Sequence, residues 1–505
     1  MSAKIETRVE LPLSPEPSGK RKPDPCALVI FGASGDLTHR KLIPALYALE
    51  YRGLLPENFA VIGVARSENS TESWRKQMRA AVTEFGRDEM REDVWKRLAA
   101  GMHYVSTDFS SAGGETEVMK LLEQLDKERG TAGNRVYYLA VPPSAIRTVV
   151  DKLGERRRPE GWMRLIVEKP FGHDLASAKA LNDDIVTHFA ENEIFRIDHY
   201  LGKETVQNVL AFRFANGIFE PIWNRRYVDS VQITVAESIG IENRAGFYEQ
   251  AGAIRDVVQN HMLQLLALTA MEPPADFEAD AVRNEKIKVV RSIAPPDPAY
   301  IVRGQYGPGK IGGEKVPGYR EEPGVAPDSN TETYVALKVF LDNWRWAGTP
   351  FYLRTGKHLS SRATTIVILF RPAPHPPFLE IAGEGLRPNV LVIHVQPDEG
   401  ISLRIGAKVP GQGMTIQPVQ LDFQYDRAFH VQLPEAYEKL ILDAMLGDAT
   451  LFTRIDEVEA QWSFVDSVVS QWEGAKPDFP NYAAGSSGPK SADAMMARDD
   501  RLWCQ

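Results

Sequence analysis

Cys26-Ala-Leu-Val-Ile-Phe31-Gly32-Ala33-Ser34-Gly35-Asp36-Leu37 is the stretch on which the fold turns. Cys26 to Phe31 is an unbroken apolar run of strand length. A run without alternation suits a strand covered on both faces, as in a parallel sheet. The Gly32–Gly35 turn follows at once, and a helix reads from there through Ala48. Strand, glycine turn and helix at the start of an alternating segment make a seat for a pyrophosphate. The glycines let the backbone approach, and the helix N-terminus faces the anion. The spacing is Gly32-x-x-Gly35, shorter than the full dinucleotide fingerprint. The lysine that closes a triphosphate-binding loop is missing from this stretch, so that class of site is disfavoured.

The alternation continues outward. Strands are expected at Phe59–Ala65, His103–Val105, Val136–Val141 and Leu165–Val167, with helices near 71–85, 92–100 and 174–190. Such alternation predicts a doubly wound parallel sheet. Past Asp198 the texture changes. Val228–Ser238, Thr333–Val339, Phe351–Thr355, Thr364–Phe370, Val390–Gln396 and Ile401–Ala407 read as strands with few helices between them. They predict a mostly antiparallel sheet. Glu249–Met271 reads as one long helix and Leu433–Met445 as another. Residues 295–330, rich in Gly and Pro, read as a wrapped functional or interface loop. The fold class is therefore α/β plus α+β: a Rossmann-like doubly wound domain followed by a large domain of antiparallel sheet and helices. The expected division is a mobile tail over 1–25, a dinucleotide-binding domain over 26–200, a substrate and oligomerisation domain over 201–480, and a mobile C-terminal tail over 481–505.

Bulk properties narrow the partners. The chain has 505 residues, 43% hydrophobic and 25% charged, enough for two large cores. A net charge of −9 argues against nucleic acid. Two cysteines, Cys26 and Cys504, offer no disulfide framework and suit a reducing cytoplasm. No apolar run reaches membrane-spanning length, and no secretory signal is expected.

The second strand ends in Ala65-Arg66-Ser67. A carboxylate there would take both ribose hydroxyls of NAD. Arg66 can instead fork onto a 2′-phosphate and Ser67 can donate to it, which favours NADP.

Phe195 to Glu204 crowds Asp198, His199, Tyr200 and Lys203 ahead of a helix that reads from Thr205 to Phe214. An imidazole, a phenol and an ammonium near a helix N-terminus suit a bound phosphate. Glu168-Lys169-Pro170 follows a core strand, so Lys169 projects from the edge where open α/β sheets bind ligands. The long helix carries Asp256, Asn260 and Gln264 on one face by i,i+4 spacing, with His261 beside it. Such groups are not buried without partners.

Arg196 to Glu204, RIDHYLGKE, resembles letter for letter the signature of the glucose-6-phosphate dehydrogenases. The Gly32–Thr38 turn, Glu168–Gly172 and the IRDxxQNHxxQ pattern from Ile254 to Gln264 are similar to further stretches of that family. The resemblance covers about residues 26–450. It implies oxidation of D-glucose 6-phosphate to 6-phospho-D-glucono-1,5-lactone with hydride transfer to NADP, the first step of the oxidative pentose phosphate pathway. It implies His261 as general base and Asp198 as the carboxylate that orients it. His199, Tyr200 and Lys203 would hold the phosphate, with Arg362 nearby. Glu237, Asp256 and Lys357 would hold the sugar, with Gln396 a looser match. Lys169 would touch both substrate and nicotinamide. Gly32, Ala33, Ser34, Gly35, Asp36, Leu37, Arg66 and Ser67 would hold the cofactor. No metal is implied, and at least a homodimer, or a homotetramer, is. Two rivals stand beside this reading: a dehydrogenase of another phosphorylated sugar, and an NADP-sensing protein without turnover. A neighbouring carboxylate is expected to raise the His261 pKa.

Overall fold

The computed structural model describes residues 22–504 apart from 110, 112, 158–159, 243, 376–386, 412–413, 430–432, 473 and 475. Most of the expected N-terminal tail, residues 1–21, thus lies outside the described residues. None of the described helices is long and apolar enough to cross a membrane.

The first sheet holds β1 (Cys26–Phe31), β2 (Phe59–Ala65), β3 (Met102–Ser106), β4 (Arg135–Leu139), β5 (Met163–Val167) and β6 (Ile194–Arg196). Every residue of β1 is buried, which is why its sequence does not alternate. β1 pairs in parallel with β2, and β2 with β3. The strand order is β3-β2-β1-β4-β5-β6, the doubly wound order of dinucleotide-binding folds.

The chain then runs through β7 (Val228–Ala236), β8 (Ile301–Gly304), β9 (Tyr306–Gly307), β10 (Gly309–Ile311), β11 (Glu314–Val316), β12 (Tyr334–Val339), β13 (Phe351–Gly356), β14 (Ala363–Phe370), β15 (Val390–Gln396), β16 (Gly400–Lys408), β17 (Ile416–Gln424) and β18 (Tyr482–Ala483). Eight of these form the second sheet, in the order β17-β16-β15-β14-β7-β13-β12-β8. Its neighbours are antiparallel except β7 and β13, which run parallel with Val231 opposite Phe351. The expected antiparallel sheet is therefore present, with one parallel pair at its centre.

Three expectations need correction. Residues 295–330 are not one loop: they carry β8 to β11, and β10 and β11 form a hairpin closed by Gly312 and Gly313. Both glycines have positive φ, 59° and 90°, as a two-residue hairpin turn of the favoured hand requires. The long helix over 249–271 is three segments: α-helix Ala245–Ala253, π-helix Ile254–Met262 and α-helix Leu263–Ala270. Gly252 sits at the first joint at φ 60°. A Cβ there would fall 2.2 Å from Glu332 Oε1, which accepts the Ile254 N–H. Finally, the expected C-terminal tail is packed. β18 pairs with β9, a helix spans Lys490–Ala497, and Tyr482, Ala492, Met495 and Met496 are buried among Tyr306, Tyr334 and Tyr352. A few apolar side chains at helical spacing suffice to anchor it, and Arg501 adds a paired contact to Asp229.

The chain divides into two compact units: residues up to 137 with 158–163 and 441–446, and the remainder. The residues expected to hold the dinucleotide phosphates and ribose lie in the first unit. Those expected to bind substrate and move the proton lie in the second.

Candidate active site

In the first unit the Gly32 turn is fixed by its own backbone. Gly32 and Ala33 N–H donate to Val64 O (2.9 and 3.2 Å), and Gly35 N–H donates to Gly32 O (2.9 Å). Gly32 has φ 87°, the region that favours glycine. Trp74 Nε1 donates to Ala33 O at 3.3 Å, and a Cβ on Gly63 would strike both Trp74 and Ala33, so β2 packs tightly against the turn. The segment after the turn is a π-helix over Thr38–Leu42, continued by an α-helix over Ile43–Tyr51. Asp36 pairs with Arg40 at 2.9 Å, both exposed. Ser67 Oγ donates to Ser34 Oγ at 3.2 Å, and Tyr104 and Ser106 hold the Ser67 carbonyl. Arg66 is exposed at the end of β2. Ser34, Arg66 and Ser67 thus gather polar groups beside the turn.

In the second unit the centre is His261. Its Nδ1 lies 2.5 Å from Asp198 Oδ1, and both side chains are buried. The Tyr200 N–H donates to the same oxygen at 2.9 Å, closing a turn that aims the carboxylate at the ring. The Tyr200 ring stacks on His261 at 4.2 Å, and the His199 ring meets it edge-on at 4.5 Å. On the opposite ring nitrogen, Lys169 Nζ lies 3.0 Å from Nε2. Lys169 also donates to Asp256 O (3.0 Å) and Asp256 Oδ1 (3.3 Å). The Lys169–Pro170 bond is cis.

The π-helix explains how Asp256 and His261 serve one site. In an α-helix, residues five apart point about 140° away from each other. The i→i+5 bonds of a π-helix bring such residues into line. Asp256 and His261 thus meet at Lys169, and Asn260 and Gln264 of the expected i,i+4 face line the pocket that Lys169 and Asp198 share. Gln264 Nε2 reaches Thr453 Oγ1 at 3.5 Å, and Asn260 Oδ1 accepts the His261 N–H.

A chain of polar contacts runs from Lys203 to Tyr200, whose ring stacks on the imidazole. Lys203 Nζ donates to Gln396 Oε1 (2.6 Å), Gln396 Nε2 donates to Thr364 Oγ1 (3.0 Å), and Tyr200 Oη lies 3.3 Å from Thr364 Oγ1. Arg362, exposed, adds its charge near the Tyr200 phenol. Elsewhere Lys357 Nζ pairs with Glu237 Oε2 at 2.6 Å and lies over the Tyr248 ring. Arg244 Nη2 approaches Asp256 Oδ2 at 3.4 Å.

Electrostatics follow from this packing. Burial alone would raise the Asp198 carboxyl, but His261, His199 and the Tyr200 N–H outweigh it and hold it well below the usual range. Burial likewise opposes ionisation of Asp256, and Lys169, Lys357 and Arg244 overcome it. For His261, burial and the Lys169 ammonium outweigh the Asp198 carboxylate, so the imidazole lies below its ordinary value. This reverses the expected rise. Burial, then the His261 and Lys169 charges, also push His199 well down. Tyr200 is pushed up by burial to about 12 and keeps its proton.

Asp198, His199 and His261 present ligand atoms within 4.8 Å of one another. The short Asp198–His261 contact already occupies one of those atoms, the arrangement of a base and its orienting carboxylate. Sequence reasoning assigned no role to Thr364, Arg244, Tyr248 or Glu168. Tyr138 donates to Glu168 Oε1 at 2.5 Å, one residue before Lys169. The position of Glu168 beside Lys169 was a usable signal; Thr364, Arg244 and Tyr248 had none of comparable local strength.

Two family models match the chain: glucose-6-phosphate dehydrogenase, NAD binding domain, over residues 29–208, and glucose-6-phosphate dehydrogenase, C-terminal domain, over residues 210–504. The chain is 48% identical over 490 residues to the glucose-6-phosphate 1-dehydrogenase of Chlamydia pneumoniae, covering 95% of this chain and 96% of that one. It is 46% identical over 483 residues to the glucose-6-phosphate 1-dehydrogenase of Bacillus subtilis, covering 94% and 97%. A solved glucose-6-phosphate dehydrogenase in complex with its substrate glucose-6-phosphate is similar at TM-score 0.89 and 36% identity, over 97% of this chain and 100% of that one.

Proposed function

The chain belongs to the glucose-6-phosphate dehydrogenase family, and from that premise we propose that its own side chains carry out the oxidation of D-glucose 6-phosphate to 6-phospho-D-glucono-1,5-lactone with NADP as acceptor. The observation that carries the reading is the buried Asp198–His261 contact, with the second imidazole nitrogen turned toward Lys169.

Asp198 accepts Nδ1–H, so the lone pair of a neutral His261 is on Nε2. Nε2 takes the proton of the C1 hydroxyl, and Asp198 stabilises the imidazolium that results. Lys169 is the ammonium nearest that event. His199, Tyr200 and Lys203 hold the phosphate, with Arg362 at the exposed side. Glu237, Asp256 and Lys357 take the sugar hydroxyls. His199 serves as a neutral hydrogen-bond partner, given its depressed pKa.

The residues of the first unit fit a dinucleotide. The positive φ of Gly32 opens the turn, and exposed Arg66 stands beside Ser67 where a 2′-phosphate would need a fork and a hydroxyl. Gly32, Ala33, Ser34 and Gly35 form the turn, and Asp36 and Leu37 open the helical segment that follows it. The bound dinucleotide supplies the acceptor for the C1 hydride. Val419 and Leu421, exposed on the outer strand β17, support a homo-oligomer, a dimer or a tetramer. Cys26 and Cys504 are not joined in a disulfide, which suits a cytoplasmic setting.

The test is direct: glucose 6-phosphate and NADP are added and absorbance of reduced cofactor is followed. Turnover is expected with glucose 6-phosphate and far less with glucose. Equal turnover with both would end the phosphate assignment, and turnover of neither would end the reaction.

A further inference from the structure

The Lys357 turn is held by a segment far away in sequence. Lys357 itself is buried, and its N–H donates to Thr333 O at 2.9 Å. The next residue, His358, has φ 49°, a backbone conformation that side chains other than glycine rarely adopt and that surrounding contacts must enforce. Those contacts come from two directions. His358 N–H donates to Ile239 O at 3.1 Å and Leu359 N–H to Glu237 O at 2.9 Å. From the C-terminal segment, Gly485 N–H donates to His358 O at 2.7 Å, and Ser486 O accepts the Ser360 N–H at 2.9 Å.

A further tie is made by the Tyr482 side chain. Its hydroxyl lies 2.9 Å from Lys357 O and 2.8 Å from Thr333 Oγ1. Tyr306 N–H donates to that same Thr333 Oγ1 at 3.1 Å. One hydroxyl has one proton to give. The sense that satisfies every group runs from Tyr306 N–H to Thr333 Oγ1, from the Thr333 hydroxyl to Tyr482 Oη, and from the Tyr482 hydroxyl to Lys357 O, the nearer of its two carbonyl acceptors, with Thr333 O at 3.3 Å. Tyr482 and Thr333 are buried, so each bond is made away from water and each lost partner leaves an unsatisfied group. The Lys357 ammonium, on the same residue as the fixed carbonyl, points to Glu237 at 2.6 Å.

We propose that residues 482–486 form a strap that fixes the Lys357 turn, and that Tyr482 is a positioning residue for Lys357 in substrate binding. The inference rests on the reading of Lys357 as a sugar contact. Tyr482 touches no substrate atom in this scheme; it sets where the Lys357 ammonium stands.

The experiment is a double-mutant cycle in the full-length enzyme. Tyr482→Phe keeps the ring and deletes the hydroxyl. It is expected to raise KM for glucose 6-phosphate about 3–10-fold, with kcat within about twofold and KM for NADP unchanged. Lys357→Ala is expected to raise the same KM further. In the Lys357→Ala background, Tyr482→Phe should add nothing, because residues acting through one contact are not additive. Thr333→Val, which removes the donor to Tyr482, should reproduce the KM effect if Tyr482→Phe does not fold. An unchanged KM in folded Tyr482→Phe overturns the strap. So does the same fold-increase in both backgrounds, since Tyr482 would then act without Lys357. A normal KM in Lys357→Ala overturns the sugar-contact reading itself, and the strap's role in binding with it.

Discussion

Lys169 Nζ and His261 Nε2 lie 3.0 Å apart, on the face of the imidazole opposite Asp198. An ammonium can donate to that nitrogen only while the nitrogen is unprotonated. The contact favours the unprotonated base, and the substrate hydroxyl takes the place of the ammonium at Nε2 before the proton moves. Burial and this charge together hold His261 below its ordinary value. The sign follows: the neutral base works above its pKa, and activity is lost as pH falls through it. In the free enzyme the acid limb of kcat/KM is thus expected below about pH 6.5, the unperturbed histidine value. Lys169→Met removes a depressing charge and leaves Asp198 in place, so the limb should move to higher pH while kcat/KM falls. A pH profile of kcat/KM for both enzymes decides it. An unmoved limb would separate Lys169 from the titration of His261.

The imidazole and the two groups beside it divide into different kinetic classes. His261→Asn removes the base and is expected to lower kcat about 10²–10⁴-fold with substrate affinity within a few-fold. Asp198→Asn should act by a similar order, since the imidazolium loses its carboxylate and its tautomer control. His199→Asn should act mainly on affinity. Steady-state kinetics with direct binding measurements on the three variants check this. A His261→Asn enzyme with near-normal kcat removes it from the mechanism.

The sequence made some of this legible because the determinants were local. β1 and the Gly32 turn are read from adjacent residues, and Asp198, His199, Tyr200 and Lys203 stand within one short stretch. What it concealed depends on backbone register and distant packing. The residues of Ile254–Met262 fit an α-helical pattern as well as a π-helical one. The choice is tied to Gly252 and to Glu332, whose side chain takes the Ile254 N–H from far along the chain. The C-terminal segment looked too polar to pack. Its anchors are a few residues, Tyr482, Met495 and Met496, that fill an aromatic cluster contributed by β9, β12 and β13. The fall in the His261 pKa was hidden for the same reason, since burial and the Lys169 contact are tertiary facts.

Cofactor choice should follow Arg66. A guanidinium on a 2′-phosphate makes charge-assisted bonds that NAD has no group to form. Arg66→Ala is expected to weaken NADP about 10–100-fold and NAD hardly at all. Fluorescence titration with both dinucleotides gives the ratio directly. Equal losses would mean that Arg66 supports the turn and does not read the phosphate.

Lys203 offers the last test, because one of its hydrogen bonds goes to a neutral side chain. Its ammonium donates to Gln396 Oε1 at 2.6 Å and lies 5.2 Å from the Tyr200 ring centroid. A phosphate would replace a neutral acceptor by an anion, and charge-assisted bonds are the stronger ones. That gain is present in the Michaelis complex and in the transition state alike, so it acts on binding and hardly on the chemical step. Lys203→Ala is therefore expected to raise KM for glucose 6-phosphate about 10–100-fold with a much smaller change in kcat. The preference for glucose 6-phosphate over glucose should shrink by a similar factor, because glucose has no phosphate to lose contact with. Gln396→Ala offers a contrast: it removes a neutral acceptor and keeps the ammonium, so the preference should largely survive. Kinetics with both sugars on both variants separate the two roles. If Lys203→Ala binds glucose 6-phosphate normally and loses only kcat, the phosphate is held elsewhere and Lys203 belongs to the reacting end of the site.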